Sequence, residues 1–281
     1  MRFRIMKISG HTICCSLFIW CFVSLISLSQ IIYGQSEKSV VVNEASGEYY
    51  NEGLAVFSEG RFSEAFFLFQ KAFELDETNI AACFAMGLSL YREEKFNEAV
   101  EYFRIVLDKN PLHIKALGIY PAALFNAGEY KEASEAFDMS IAKYPENHNL
   151  YFGKARTLSK MEQFEEALPF FKKAAELSPS DINYKYMYAQ TLAETGRLKE
   201  ASESASEILT LDSLHTRARI IMADYLRITG ELNEALSQYK IVSLNPETKN
   251  YADYYIEKIE FEIEEREIEK EWEKRKNNFN R

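Results

Sequence analysis

The chain has 281 residues, of which 47% are apolar, 14% aromatic and 27% charged. Twenty Phe and 17 Tyr exclude a wholly disordered chain, because disordered segments contain few aromatic side chains. The formal net charge of −10 argues against general binding to nucleic acid, which requires a basic surface. Only 11 Gly and 6 Pro, with alanine-rich segments between them, favour helices over strands.

Residues 1–34 have the pattern of a secretory signal peptide. Three basic residues among the first seven precede a long apolar segment that contains no charge up to Gln35. We predict cleavage between Gly34 and Gln35. The alternative is an uncleaved signal anchor, because residues 8–34 are long enough to span a bilayer and to tether the protein to the membrane. Both interpretations place the rest of the chain outside the cytoplasm, in the periplasm or outer envelope, because the basic flank stays inside.

The cysteines do not predict a disulfide-stabilised fold. Three of the four Cys lie within the predicted leader, so Cys83 alone remains in the mature chain and cannot form an intrachain disulfide. Cys83 stands among alanine and phenylalanine residues, and we expect it to be a small buried side chain.

A period of 34 residues runs through the rest of the sequence. Six alanines recur at this spacing: Ala65, Ala99, Ala133, Ala167, Ala201 and Ala235. Four residues after the first four of them stand Phe69, Phe103, Phe137 and Phe171. We expect the alanines to let two helix backbones approach closely and the phenylalanines to fill the space where three helices meet. All ten residues are therefore predicted to be structural.

The period divides residues 46–249 into six units of 34 residues. The units are 46–79, 80–113, 114–147, 148–181, 182–215 and 216–249. In this frame the sequence resembles the tetratricopeptide repeat family. The family's small residue in the first helix is matched by Gly53, Gly87, Ala155, Ala189 and Ala223, and its turn glycine by Gly60, Gly128, Gly196 and Gly230.

This resemblance implies an all-α fold, a right-handed superhelical solenoid of six helix-turn-helix units. Residues 35–45 would be a linker, and residues 250–281 a charged capping helix and tail. Physical chemistry gives the same organisation, because a unit this small cannot bury its own apolar face and must stack on its neighbours. Pro121 occupies the small-residue position of the third unit, where we expect a cost of about 3 kcal/mol and a kink.

No enzymatic motif is present in the sequence. It contains no nucleophile elbow, phosphate-binding loop, dinucleotide-binding fingerprint or zinc-protease motif. His113, His148 and His215 fall at unit boundaries, and we expect them to be solvated in loops rather than to bind a metal. The sequence therefore predicts no catalysis, no cofactor and no metal.

The concave surface lined by the first helices, which we call the groove, is the remaining candidate for function. In the resembled family the side chains beside the small residue face this groove. The corresponding residues are Tyr50, Phe57, Phe84, Leu88, Tyr91, Arg92, Lys115, Phe125, Asn126, Asn149, Phe152, Arg156, Lys160, Tyr186 and Gln190. We expect the aromatic residues to hold an extended peptide and the basic residues to bind its carboxylates. The alternative is an ordinary solvated helix surface, with some of the aromatic residues in the core.

These features predict a non-enzymatic scaffold that binds a protein or peptide partner in the groove, outside the cytoplasm, and that does not bind nucleic acid. The alternative is a self-associating or membrane-tethered structural component that acts through the charged C-terminal helix. Ile268 and Trp272 on that helix are candidates for such a contact, because exposed Trp is concentrated at interfaces. The sequence does not identify the partner or the oligomeric state.

Overall fold

The computed structural model describes residues 44–279, and every regular element within them is an α-helix. The predicted signal peptide at 1–34 and most of the predicted linker lie outside the described residues. The helices are α1 (Glu44–Ser58), α2 (Phe62–Leu75), α3 (Ile80–Arg92), α4 (Phe96–Lys109), α5 (Ile114–Ala127), α6 (Tyr130–Lys143), α7 (His148–Lys160), α8 (Phe164–Leu177), α9 (Ile182–Glu194), α10 (Leu198–Leu211), α11 (Thr216–Thr229), α12 (Leu232–Val242) and α13 (Lys249–Phe279).

Helices α1 to α12 form six hairpins, and each helix packs against the one before it and the one after it. The first helices of the second to sixth hairpins begin at the residues where the 34-residue frame places the unit starts: Ile80, Ile114, His148, Ile182 and Thr216. The first hairpin differs, because α1 begins at Glu44, inside the predicted linker. The hairpins follow one another as a solenoid.

The core lies along the contacts between successive helices. The six alanines of the 34-residue series have no exposed surface. Phe69, Phe103 and Phe171 are also fully buried, and Phe137 is 4% exposed. Burying a large ring removes apolar area from water at roughly 25 cal/mol per Å², so these rings supply much of the apolar burial between hairpins.

Small residues in the first helices admit the rings of the second helices. A Cβ atom added to Gly53 would lie 2.6 Å from the Phe69 ring, and one added to Gly87 would lie 2.8 Å from the Phe103 ring. Both distances are too short for carbon atoms, so glycine is required by close approach in these two hairpins.

The third hairpin, which has Pro121 at the small-residue position, packs its ring differently. The ring of Phe137 lies against Gly153 of the next hairpin, close enough that no Cβ atom could be added there. The sequence period did not single out Gly153, since it lies two residues before the small-residue position of its own unit. The contact joins the third hairpin to the fourth.

Helix α5 continues through Pro121, which is buried inside it. Proline has no N–H, so the carbonyl of Leu117, four residues earlier, loses its helical hydrogen bond. The Ser140 hydroxyl, which is fully buried on α6, donates to the Leu117 carbonyl oxygen at 2.7 Å and lies 2.9 Å from the Ala136 carbonyl oxygen. The neighbouring helix therefore satisfies the acceptor that Pro121 leaves unpaired.

The turns inside the hairpins require a left-handed backbone residue. Glycine provides it in four hairpins, for example at Gly128 with φ 85°. Glu94 and Glu162 occupy the same place with φ 61° and 62°, a conformation that is strained for a residue with a side chain. The turn geometry is thus maintained by the hairpin packing even where glycine is missing.

Helix α13 covers the end of the solenoid with its first half. Ala252 and Ile259 are fully buried, and Tyr255, Ile256 and Ile263 pack against the same core cluster as α12. Beyond Ile263 the described side chains of the helix are exposed. Arg266 still reaches the Gly230 carbonyl oxygen at 3.3 Å, and the rest of α13 after it makes no packed contact with the repeats among the described residues.

Cys83 is 1% exposed, and burial raises the pKa of its thiol to about 11.

Among residues 44–279, no helix combines the length and the apolar character that crossing a membrane requires.

The hydrogen bond between Ser140 and Leu117 predicts an energetic coupling with Pro121. We expect Ser140→Ala to lower the free energy of unfolding by about 1–3 kcal/mol, because it leaves a buried carbonyl unsatisfied. In a Pro121→Ala background the backbone N–H is restored, and the same serine substitution is expected to cost less than about 1 kcal/mol. A double-mutant cycle measured by chemical denaturation tests this coupling.

Ser89→Ala is the matched control for this cycle. Ser89 is fully buried on α3 and donates to the Ala85 carbonyl oxygen at 2.9 Å within a helix that has no proline. Its substitution is expected to cost less than Ser140→Ala and to be additive with Pro121→Ala. Additive effects of Ser140→Ala and Pro121→Ala would contradict the compensation.

Candidate functional site

Side chains of α3, α5 and α7 meet at the centre of the groove. The side-chain amide of Asn126 donates to the Tyr91 hydroxyl oxygen at 3.1 Å. The guanidinium carbon of Arg156 lies 4.7 Å from the centroid of the Phe125 ring and 5.8 Å from that of the Phe152 ring. These five residues, all among those predicted to line the groove, therefore form one group across three hairpins, which we call the central cluster.

The hydroxyl of Tyr91 remains protonated in the central cluster. Burial raises the pKa of Tyr91, while the hydrogen bond from Asn126 and the charges of Arg92 and Arg156 lower it to a smaller extent. Because the Tyr91 oxygen accepts a hydrogen from Asn126, its own O–H can donate to a bound carbonyl or carboxylate.

Four basic side chains were predicted along the groove: Arg92, Lys115, Arg156 and Lys160. Lys115 is half-buried and the other three are exposed. None of the four takes part in an ion pair within residues 44–279, whereas Arg61 and Arg197 elsewhere on the surface do. Their charges are thus available for the carboxylates of a partner, although the protein as a whole is acidic.

Several predicted groove aromatics also pack into the core. Tyr50 lies 5.6 Å, ring to ring, from Phe69, and Phe57 lies 6.5 Å from it. Phe84 lies 5.6 Å from the ring of Phe103, and Leu88 on the same helix is half-buried. These residues present only part of their surface to the groove, so its first two hairpins are firmly packed.

Asn149 belongs to a hydrogen-bonded group between the fourth and fifth hairpins. Its side-chain oxygen accepts from the Tyr184 hydroxyl at 2.9 Å, and His148 Nδ1 lies 2.9 Å from the same hydroxyl. The ring of Tyr184 also lies 4.6 Å from that of Phe152. This group connects Asn149 to the central cluster through Phe152.

The prediction that the boundary histidines are solvated in loops is wrong. His113 Nδ1 accepts from the Ala116 backbone N–H at 3.1 Å, and His215 Nδ1 accepts from the Ala218 N–H at the same distance. Both imidazoles cap the first turn of a helix, and His148 is also half-buried. The sequence signal was available, because His113 and His215 each stand directly before a helical unit where a capping residue is needed.

The last hairpin and α13 close the C-terminal end of the groove. Tyr186, Gln190, Arg217 and Tyr251 line a cavity of about 640 Å³. The side-chain amide of Gln190 donates to Glu194 at 3.0 Å. Tyr186 and Gln190 therefore lie together, but apart from the central cluster and beside the final helix.

Asp224 attaches α13 to the groove surface of α11. The Tyr239 hydroxyl donates to it at 2.5 Å and the Tyr251 hydroxyl at 3.1 Å. Burial, followed by the charge and hydrogen bonding of Asp224, raises the pKa of both tyrosines. Asp224 stands 34 residues after Gln190 and 68 after Arg156, so the equivalent groove position on α11 is used to hold the cap.

Lys154 is a buried charge that the sequence analysis missed. It is 6% exposed on α7, and its ammonium group donates to Asp138 at 2.7 Å and to the Ser134 hydroxyl at 2.7 Å on α6. Nothing in the repeat pattern distinguishes it, because its partners come from the preceding hairpin. The contact fastens the third hairpin to the fourth.

No group of three or more His, Cys, Asp and Glu residues in the described part of the chain could hold a metal ion.

Stacked hairpins of 34 residues whose first helices line one surface define a helical-repeat solenoid. The family described as "Anaphase-promoting complex, cyclosome, subunit 3" matches residues 58–140. Two families described as "Tetratricopeptide repeat" match residues 122–182 and 158–225. The chain is a member of the tetratricopeptide repeat family, which confirms the resemblance seen in the sequence.

Solved structures with the same fold confirm the predicted all-α solenoid. MamA from Desulfovibrio magneticus RS-1 has 21% identity and a TM-score of 0.59, covering 62% of this chain and 99% of its own. YrrB, described as a TPR protein with an unusual peptide-binding site, has 21% identity and a TM-score of 0.59, covering 66% and 96%. Pseudomonas aeruginosa PilF has 19% identity and a TM-score of 0.58, covering 76% and 98%.

A comparison with curated protein sequences finds no significant match.

The fold is that of a scaffold for protein–protein interaction, because solenoids of this kind present an extended concave surface to their partners.

Proposed function

We propose that the protein is a non-enzymatic scaffold outside the cytoplasm, and that its groove binds an extended acidic segment of a partner protein. The observation that carries this proposal is the central cluster. There Arg156 lies over two aromatic rings of adjacent hairpins and has no carboxylate partner among residues 44–279.

The chemistry of the central cluster fits an acidic extended segment. A guanidinium group held over aromatic rings keeps its hydrogen-bond donors directed outward, where a carboxylate can accept two of them. Tyr91 and Asn126 add neutral polar groups that suit the backbone of an extended chain, which has no internal hydrogen bonds. YrrB, a protein of the same fold, is described as having an unusual peptide-binding site, which supports peptide binding by a solenoid of this kind.

The location outside the cytoplasm rests on the sequence of the first 34 residues. Their basic start and apolar run are typical of an exported protein. The mature protein is expected to appear in the extracytoplasmic fraction of the native host. Mass measurement of its amino terminus is expected to give Gln35 as the first residue. Recovery from the cytoplasm with an intact Met1 would contradict the proposal.

A second candidate function is self-association through α13. Tyr254, Phe261, Ile268 and Trp272 are each at least 60% exposed. Their spacing of seven, seven and four residues places them on one face of the helix, opposite the face that Ala252 and Ile259 bury. Such a stripe on a helix that extends from the fold is suited to pairing with another helix.

The charge distribution of α13 favours a second copy of the chain in antiparallel orientation. Residues 257–269 contain seven acidic and two basic residues, whereas residues 270–276 contain four basic and two acidic residues. Antiparallel pairing places the basic segment of each copy beside the acidic segment of the other, while parallel pairing places like charges together.

The groove proposal predicts a charge-specific loss of binding. We expect the triple variant Arg92→Glu, Arg156→Glu and Lys160→Glu to bind acidic peptides at least about tenfold more weakly than the intact protein, because charge-assisted hydrogen bonds are lost. Fluorescence anisotropy with labelled peptides rich in Glu, at several salt concentrations, measures the effect.

The control has the same charge change on the second helices: Lys131→Glu, Lys172→Glu and Lys199→Glu. These lysines are exposed, and their substitution is expected to leave the affinity within about twofold apart from a general electrostatic effect that salt removes. Equal losses in both triple variants, or equal binding of acidic and basic peptides by the intact protein, would refute the groove proposal.

The self-association proposal predicts a dimer that depends on the exposed stripe. We expect sedimentation equilibrium to give a dimer mass for the intact protein in the micromolar range, and a monomer mass for Ile268→Gln with Trp272→Gln. The control Glu267→Gln with Glu273→Gln changes residues on other faces of α13 and is expected to remain dimeric. A monomeric intact protein across this range would exclude the second candidate.

A further inference from the structure

One position in the first helices carries a large side chain in every hairpin except the third. The residues at this position, each 34 apart, are Tyr50, Phe84, Gly118, Phe152, Tyr186 and Ile220. Glycine within a helix is unfavourable relative to alanine. Nothing lies within 4 Å of a Cβ atom added to Gly118, so close packing does not require glycine there.

In two other hairpins the aromatic ring at this position covers the end of its own unit. The Phe84 ring lies 5.1 Å from that of His113, and the Tyr186 ring lies 5.3 Å from that of His215. These histidines are the last residues of their units. The third hairpin has no ring to cover its corresponding end, which is formed by residues 143–147.

A surface cavity of about 480 Å³, open to solvent, occupies this place in the third hairpin. Its wall is formed by Gly118 together with Ile114, Lys143, Tyr144, Pro145, Glu146 and Asn147. The apolar side chains of Ile114, Tyr144 and Pro145 make the cavity suitable for a ring.

The cavity and the central cluster share one face of α5. Lys115, Gly118 and Phe125 are separated by three and seven residues, so they lie on one face of α5. Phe125 on that face contacts Arg156. Seven residues of helix rise about 10 Å, so about three extended residues of a bound segment would reach from the central cluster to the cavity.

We propose that the cavity beside Gly118 accepts an aromatic side chain of the bound partner segment. This inference rests on the proposed groove function and narrows its partner to an acidic segment with one Phe, Tyr or Trp. The partner's ring takes the place that Phe84 and Tyr186 fill in their own hairpins. Lys115 and Lys143 near the cavity, together with Arg156, bind acidic residues that flank this ring. Glu146 in the cavity wall repels acidic residues of the partner only where they pass close to it.

A pair of peptides and a pair of variants test this inference. The probes are a labelled peptide of Glu, Ser and Gly with one central Phe, and the same peptide with Ala in place of Phe. We expect the intact protein to bind the Phe peptide about tenfold or more tightly than the Ala peptide, because the ring is buried on binding. Fluorescence anisotropy gives both affinities.

Gly118→Phe is expected to fill the cavity with the protein's own ring. This variant should fold, since a Cβ atom added there meets open space and the equivalent position carries Phe or Tyr in four other hairpins. Its preference for the Phe peptide should fall to about one while binding of the Ala peptide persists. Gly118→Ala is the control, because it adds only a methyl group and should keep the preference. Thermal unfolding of both variants verifies that they are folded.

The possible failures are distinguishable. Equal binding of the two peptides by the intact protein would overturn the aromatic pocket and leave the acidic groove standing. Binding of neither peptide would overturn the pocket and the groove function together. An unchanged Phe preference in folded Gly118→Phe would show that the ring binds elsewhere and would also overturn the pocket.

Discussion

The close approach of two helix backbones at the alanine series is the contact on which the structure depends. Ala65 and its five equivalents have no exposed surface, and a larger side chain there would overpack the contact at a cost of about 1–3 kcal/mol. A hairpin formed in this way still has an apolar face, which is covered only where Phe69 and its equivalents meet neighbouring helices. The stack is therefore the core, and the groove is a consequence of the same packing.

The third hairpin shows how the repeat tolerates a residue that breaks its local rule. Pro121 removes a backbone donor, and Ser140 on the neighbouring helix satisfies the acceptor left unpaired, the Leu117 carbonyl, at 2.7 Å. The Phe137 ring lies against Gly153 of the next hairpin, while Lys154 binds back to α6. Contacts with α6 and α7 thus replace what the proline takes from α5, and the third and fourth hairpins are joined by polar as well as apolar contacts.

The period of 34 residues was sufficient to predict the helices, because it records which side chains must be small and which must fill space. It could not predict contacts between hairpins, which depend on how far each unit rotates relative to the last. The meeting of Tyr91 with Asn126 and the burial of Lys154 belong to this second kind. The capping role of His113 was predictable from its place before a helix, but histidine is an uncommon capping residue and its position alone suggested a loop.

The character of the groove changes along the solenoid because its ends serve the fold. At the first hairpin Tyr50 packs against Phe69, and at the last Asp224 holds Tyr239 and Tyr251. At both ends, therefore, the side chains at groove positions make contacts within the protein. Between them Arg156 lies over aromatic rings without a carboxylate partner among residues 44–279, and the helix face of Gly118 is open. Specific recognition requires groups that the fold has not already paired, so the middle hairpins are where a partner can be distinguished from other extended chains.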